Sequence, residues 1–341
     1  MTGNDSSVRS RLWRNGVLES ENFPFEKISE YLDTEGCLVW VDIADPDSEH
    51  LTALAAELSL SPLAVEDAVG HAERAKATRY ATHTFITAYS VAMNGPGDNA
   101  ENDGDLLRSH LSVTRVSAFV LQRGIVTVHR GNEFDMDEVV QRWDENSDLI
   151  AYGPGSLLHG LLDLIVDGHF DAVQILDDQI ESLEDDLFDD RAVSKEVQQR
   201  TYRVRKDLVE LRRVVLPMRE VVNAVLRHRK DLEASPELNS WFDDLYDHVL
   251  RAAEWTESLR DMVTTVFETN LSLQDGRLNI VMKKLTSWAA IIAVPTAITG
   301  YFGQNVPYPG FGQSWGFLLS TATIVAIALA LYTVFKRRDW L

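Results

Sequence analysis

The sequence predicts an α/β N-terminal domain, then a long α-helical stalk, then two C-terminal transmembrane helices. Three observations predict it. From Leu285 to Phe335, 51 consecutive residues contain no Asp, Glu, Lys or Arg, although charged residues make up 25% of the chain. A neutral run that long has room for two membrane spans, which excludes a purely soluble protein. Residues 37–130 alternate strand-like runs with helical stretches, the signature of a mixed sheet covered by helices. After Gly153-Pro154-Gly155 the pattern turns helical and stays so to the end.

Charge is unevenly placed. The chain has 341 residues with 53 acids and 32 bases; residues 283–341 hold five bases and one acid, which leaves 27 bases and 52 acids, a net charge of −25, on residues 1–282. Such an excess disfavours nucleic acid and anionic lipid as partners and favours cations. The N-terminus MTGNDSSVRSRLW lacks the apolar core of a secretory signal, so the front portion is expected to stay cytosolic. One cysteine, Cys37, allows no disulfide and no multi-cysteine metal site within the chain, and its place in CLVWVDI reads as a buried strand position.

The α/β domain is expected over residues 1–150. Its strands are CLVWVDI (37–43), THTFITAYSV (82–91), SVTRVSAFVL (112–121) and IVTVHR (125–130), with helices in PDSEHLTALAAEL and SPLAVEDAV. Residues 93–105 have the Gly, Asn and Asp content of an exposed loop. The helical stalk follows over 151–284, with expected breaks at Pro217 and at the Ala-Ser-Pro turn, 234–236. Between 171 and 190 there are nine acids and no base, while Val173, Leu176, Ile180, Leu183 and Leu187 recur at helical spacing. One face packs; the acidic remainder is either a solvated surface or a divalent-cation sensor.

From Pro236 onward one helix runs into the membrane, on the order of 100 Å at 1.5 Å per residue. Steps of three and four from Leu238 give Leu238, Trp241, Leu245, His248, Ala252, Trp255, Leu259, Met262, Val266, Thr269, Leu273, Gly276 and Ile280 as a packing seam. The neighbouring stripe is polar throughout: Asp244, Asp247, Arg251, Glu254, Ser258, Asp261, Thr265, Glu268, Ser272, Asp275 and Asn279. It enters the membrane as Met282, Thr286, Ala289, Ala293, Thr296 and Gly300. Small residues on one face serve close helix packing or, in a symmetric ring, line a pore.

The first span is expected over 285–302 and the second over 314–335, joined by an extracytoplasmic turn, 303–313, and followed by a basic tail, 336–341. Lys283 and Lys284 precede the first span and Lys336, Arg337 and Arg338 follow the second, so the positive-inside rule places both termini in the cytosol of a plasma-membrane protein. Two spans cannot enclose an aqueous path. Transport therefore demands an oligomer, with the span that bears the polar face innermost.

Tyr301-Phe302-Gly303-Gln304-Asn305 at the end of the penultimate span, the two C-terminal spans and the basic tail resemble the CorA-type magnesium channels, whose mark is Gly-Met-Asn or a Gly-x-Asn variant. The likeness extends to the run from Leu278 to Thr286, to Asp163, Asp167 and Leu183-Glu184-Asp185-Asp186-Leu187-Phe188, and to Trp40, Asp42, Pro46, Pro62-Leu63 and Glu66-Asp67. The resemblance implies a funnel-shaped homopentamer that passes Mg²⁺, with Co²⁺ or Ni²⁺ as further cargo, and closes when cytosolic Mg²⁺ is high. By match, Gly303, Gln304 and Asn305 form the selectivity filter, and Asn279, Met282, Thr286 and Thr296 line the pore. Asp244 and Glu268 match stalk positions of the family's inhibitory cation site, with Asp275 a third candidate on the same stripe.

Gln304 departs from the usual methionine, and the outer turn holds no acid. Cation attraction there must rest on amide and carbonyl dipoles. Because Mg²⁺ gives up water reluctantly, a neutral ring such as Asn305 suits the hydrated ion. An apolar ring at Met282 could stop flow by dewetting. A zinc transporter of the same superfamily is the alternative. A membrane-tethered sensor explains less, since it needs no polar face on the first span. No phosphate-binding glycine loop or His-x-x-x-His pair points to an enzyme or an organic cofactor, and His159 and His169 read as ordinary core or surface residues.

Overall fold

The computed structural model describes residues 8–46, 48–70, 74–93, 109–131, 134–188, 195–231 and 235–341. It divides into a unit ending at Val266 and a unit from Phe267 to Leu341. Most of the loop expected at 93–105 lies outside the described residues.

The sequence predicts a first strand at Cys37, but the sheet begins two strands earlier. β1 (Val8–Arg14) and β2 (Val17–Glu21) form a hairpin. Its turn is Asn15-Gly16, both at positive φ, 49° and 81°, the left-handed pair that a two-residue hairpin requires. β3 (Cys37–Ala44), β4 (Lys76–Arg79), β5 (Thr84–Met93), β6 (Leu111–Leu121) and β7 (Gly124–His129) complete a seven-stranded sheet in the order β2-β1-β3-β7-β6-β5-β4. Only the central β3–β7 pair is parallel.

Both faces of the sheet are covered. Val39, Val41 and Ile43 pack with Phe85, Phe119 and Val126 against α1 (Ile28–Asp33), α2 (Ser48–Glu57) and α3 (Pro62–Val69). Leu38 and Trp40 point the opposite way. They meet α4 (Met136–Glu145), α5 (Pro154–Phe188), α6 (Lys195–Asp231) and the first turns of α7 (Asn239–Phe302). Cys37 is buried in β3.

A polar chain threads this core. Trp40 Nε1 donates to Thr127 Oγ1 at 3.0 Å, Thr127 Oγ1 donates to Asp42 Oδ1 at 2.6 Å, and His129 Nε2 donates to Asp42 Oδ2 at 3.2 Å. All four residues are buried, so each group needs the next.

The helices show where local signals succeed and fail. Val173, Leu176, Ile180, Leu183 and Leu187 are all buried, as their spacing on α5 predicts. α5 carries nine acids and no base, whereas α6 carries eleven bases and five acids. The two helices pack together, with Arg200 of α6 bound to Asp186 of α5 at 2.8 Å. The break expected at Pro217 does not occur: Pro217 sits inside a continuous α6. A proline there costs about 3 kcal/mol, and the buried Val214, Val215, Met218, Val221 and Val222 on either side hold the helix together.

On α7 the expected seam holds at Leu245, Ala252, Leu259 and Val266, which are buried, and fails beyond them, where Thr269 and Leu273 are half-buried and Gly276 and Ile280 are exposed. Between the buried four it shifts by one residue. Phe242, Val249, Thr256 and Val263 are buried in place of Trp241, His248, Trp255 and Met262. The shift leaves the larger rings at the margin, where Trp241 is 41% exposed. Every residue of the polar stripe from Asp244 to Asn279 is exposed.

The second unit contains residues 267–302 of α7 and all of α8 (Ser314–Arg337), joined by the turn 303–313. Both helices are long and apolar enough to cross a membrane.

One prediction comes from the buried chain. Burial disfavours the His129 imidazolium, but the hydrogen bond and charge of Asp42, with Asp45 farther off, outweigh it and raise its pKa above the ordinary value. A raised folded-state pKa adds stability in full below the unfolded value of about 6.5 and loses it as pH rises through the folded value. Urea midpoints followed by tryptophan fluorescence should therefore fall as pH rises above that point. In Asp42→Asn the slope should vanish and stability should drop by about 1.5–3 kcal/mol.

Candidate cation-handling sites

The turn 303–313 begins where α7 ends. Gly303 N donates to Thr299 O at 2.8 Å and Gln304 N to Tyr301 O at 3.4 Å, so the helical pattern fades into the motif. A Cβ at Gly303 would stand 2.9 Å from the Thr299 carbonyl oxygen, which explains the glycine. Gly303, Gln304 and Asn305 are all exposed. Farther along, a Cβ at Gly316 would lie 2.4 Å from Gly310 O, so the end of the turn packs backbone to backbone on the first turn of α8. The turn presents carbonyls and amides, and no ionised group.

Below it, Asn279, Met282, Thr286, Ala289, Ala293, Thr296 and Gly300 are exposed along α7. Thr296 Oγ1 donates its proton to Ile292 O at 3.0 Å. Its outward face therefore offers only acceptor lone pairs, which suit the protons of water around a cation. Ser287 lies off this stripe and is buried, with its hydroxyl donated to Lys283 O at 2.8 Å.

The stalk candidates Asp244, Glu268 and Asp275 are exposed, and among the described residues Glu268 and Asp275 join no ligand cluster. A different group comes together. Ligand atoms of Asp163, Asp167 and His248 lie within 4.8 Å of one another. Asp163 and Asp167 share a face of α5 at i,i+4 spacing, and His248 reaches them from α7. Asp244 touches the edge of the group, 3.6 Å from His248 Nε2. Arg142 of α4 already binds both α5 carboxylates, at 2.8 Å from Asp167 and closer to Asp163. Asp167 and His248 line a cleft of about 780 Å³ that Asp135, Glu138 and Asp171 also line. Two carboxylates and an imidazole could hold a divalent cation if Arg142 withdrew.

His159 and His169, both buried, take no part. His159 Nε2 donates to Trp241 O at 3.1 Å and His169 Nε2 to Tyr89 O at 2.8 Å. Burial lowers the pKa of both, His169 to about 4, so His169 is neutral at physiological pH.

A sheet-and-helix unit followed by two apolar helices joined by an uncharged turn is the organisation of a two-span membrane protein. The CorA-like Mg²⁺ transporter family model matches residues 35–337. The chain belongs to the CorA family of divalent-cation transporters. It is 28% identical over 337 residues to the cobalt/magnesium transport protein CorA of Thermotoga maritima, covering 95% of this chain and 92% of the relative. It is also 24% identical over 321 residues to the zinc transport protein ZntB of Yersinia pseudotuberculosis, covering 90% and 89%. The fold is similar to that of the complete CorA magnesium transporter of Methanocaldococcus jannaschii, with TM-score 0.76 at 21% identity over 99% of this chain and all of that one.

If the α5–α7 group takes a cation, Asp163→Asn with Asp167→Asn should weaken Mg²⁺ binding at least about tenfold, measured by calorimetry on detergent-solubilised protein. Equal affinity in both proteins would leave Arg142 as the lasting occupant of the group.

Proposed function

We propose that the protein is a homopentameric channel that admits Mg²⁺ to the cytosol and closes when cytosolic Mg²⁺ is high. The observation that carries the reading is the uncharged Gly303-Gln304-Asn305 turn, which follows small and weakly polar residues recurring at helical spacing on α7. In a ring of five chains, Asn305 with the Gly303 carbonyl would recognise the hydrated ion. The stripe from Asn279 to Gly300 would line the path, with Met282 as its apolar constriction. Residues 285–302 and 314–335 are assigned as the spans, 303–313 as the outer turn, and 1–284 and the tail 336–341 as cytosolic, in keeping with the bases at either end.

Closure by Mg²⁺ follows from charge. The 52 acids of residues 1–282 repel one another in a ring, and a divalent cation bound at the stalk relieves that repulsion in the closed form. Asp244, Glu268 and Asp275 are the candidates between chains; Asp163, Asp167 and His248 are the candidate group within one. Cobalt as second cargo accords with the Thermotoga relative's name. Zinc as main cargo is the second reading, favoured by the Yersinia relative and by Gln304 at the position where methionine is usual.

Flux into protein-containing liposomes decides between them. Native mass measurement should first give five chains. Mg²⁺ should then enter faster than Zn²⁺ with no pH gradient applied. Asn305→Ala should lower Mg²⁺ uptake by at least about 100-fold, the loss of roughly 3 kcal/mol of recognition per ion, while leaving assembly intact. Gln304→Met should be tolerated. Wild-type flux in Asn305→Ala would remove the filter assignment.

A further inference from the structure

We propose that Tyr308 is a positioning residue for the outer filter: its hydroxyl closes the arc from Phe302 to Tyr308 and so fixes where Asn305 stands. The inference rests on the reading of Asn305 as the recognition residue and adds what holds it in place.

Phe302 is the last residue of α7, and its carbonyl has no helical donor ahead of it. Tyr308 Oη donates to that carbonyl at 2.7 Å. Residues 303–307 are thereby pinched into a loop, and Asn305 is its middle residue. The bond is seated among rings. Tyr308 packs edge-on to Phe302 with centroids 5.2 Å apart and edge-on to Phe311 at 5.3 Å, and it lies 6.3 Å from Tyr301.

The sequence around Tyr308 stiffens the closure. Pro307 fixes its own φ, and Pro309 disfavours helical backbone angles at Tyr308. Tyr308 is half-buried, while every residue from Gly303 to Pro307 is exposed. Among the described residues the Asn305 amide bonds to no other group, so its position is inherited from the arc. Recognition of a hydrated ion depends on that position, because the interacting groups must be held to within about 0.5 Å. A closed arc has fewer conformations to lose when the ion arrives.

A tyrosine near a membrane surface often serves only as an interfacial anchor. That role needs the ring and a polar tip, and it places no demand on ion affinity. The two roles separate in Tyr308→Phe, which keeps the ring packing and deletes the bond.

The test is initial-rate Mg²⁺ uptake into liposomes across a range of Mg²⁺ concentrations, for wild type, Tyr308→Phe, Pro309→Ala and Asn305→Ala, with assembly checked by size exclusion. In Tyr308→Phe the half-saturating Mg²⁺ should rise about 5- to 10-fold, with the maximal rate within about twofold of wild type. Pro309→Ala, which keeps the hydroxyl but frees the Tyr308 backbone, should shift it in the same direction by less. It is read alone if Tyr308→Phe does not assemble. Wild-type half-saturation in the assembled variants overturns the inference, as does a fall in maximal rate with half-saturation unchanged. If Asn305→Ala loses uptake while Tyr308→Phe behaves as wild type, only the clamp fails. If Asn305→Ala transports normally, the filter reading fails and the clamp falls with it.

Discussion

Taking charge out of water is expensive, and that cost orders the whole chain. An ion-sized charge moved into a medium of low dielectric loses several kcal/mol even after relaxation. The 51 residues from Leu285 to Phe335 therefore carry none, and nearly all the acids lie ahead of them. The turn 303–313 between the two apolar helices likewise carries no ionised group, only amides and carbonyls. The same cost also governs the core of the sheet, where Asp42 is tolerated because Thr127 and His129 both donate to it.

Features that depend on neighbouring residues were legible in the sequence, and features that depend on distant ones were not. Two apolar helices, four of the seven strands and the buried face of α5 follow from hydropathy and spacing alone. The β1–β2 hairpin carried a usable signal in Asn15-Gly16, but Arg9, Arg11 and Arg14 mask the apolar alternation beside it. Pro217 misleads for the opposite reason: its local preference to break a helix is real, and the buried residues around it override that preference. The seam of α7 holds only in part, because a strict three-four step cannot foresee which of two adjacent residues, Trp241 or Phe242, meets the core, nor that the seam's burial ends at Val266.

The proposed filter and the stalk candidates differ in the same way. Gly303-Gln304-Asn305 is contiguous, so it can be read from three letters and their place between two apolar helices. The Asp163–Asp167–His248 group joins helices some 80 residues apart in sequence, and only the i,i+4 pair on α5 hinted at it. Arg142, from a third helix, could not have been placed there at all. Its presence gives the group a built-in occupant, and any metal ion must compete with a guanidinium that never gives up its proton.

The acidic α5 and the basic α6 lie side by side, joined by Arg200 and Asp186. Their opposite charges also attract at a distance, and mobile ions shorten that reach to about 8 Å at physiological ionic strength. A buffer of higher salt therefore weakens the cohesion of this helical pair while leaving its apolar contacts untouched. The pair thus has two kinds of glue, one indifferent to the ionic medium and one tuned by it.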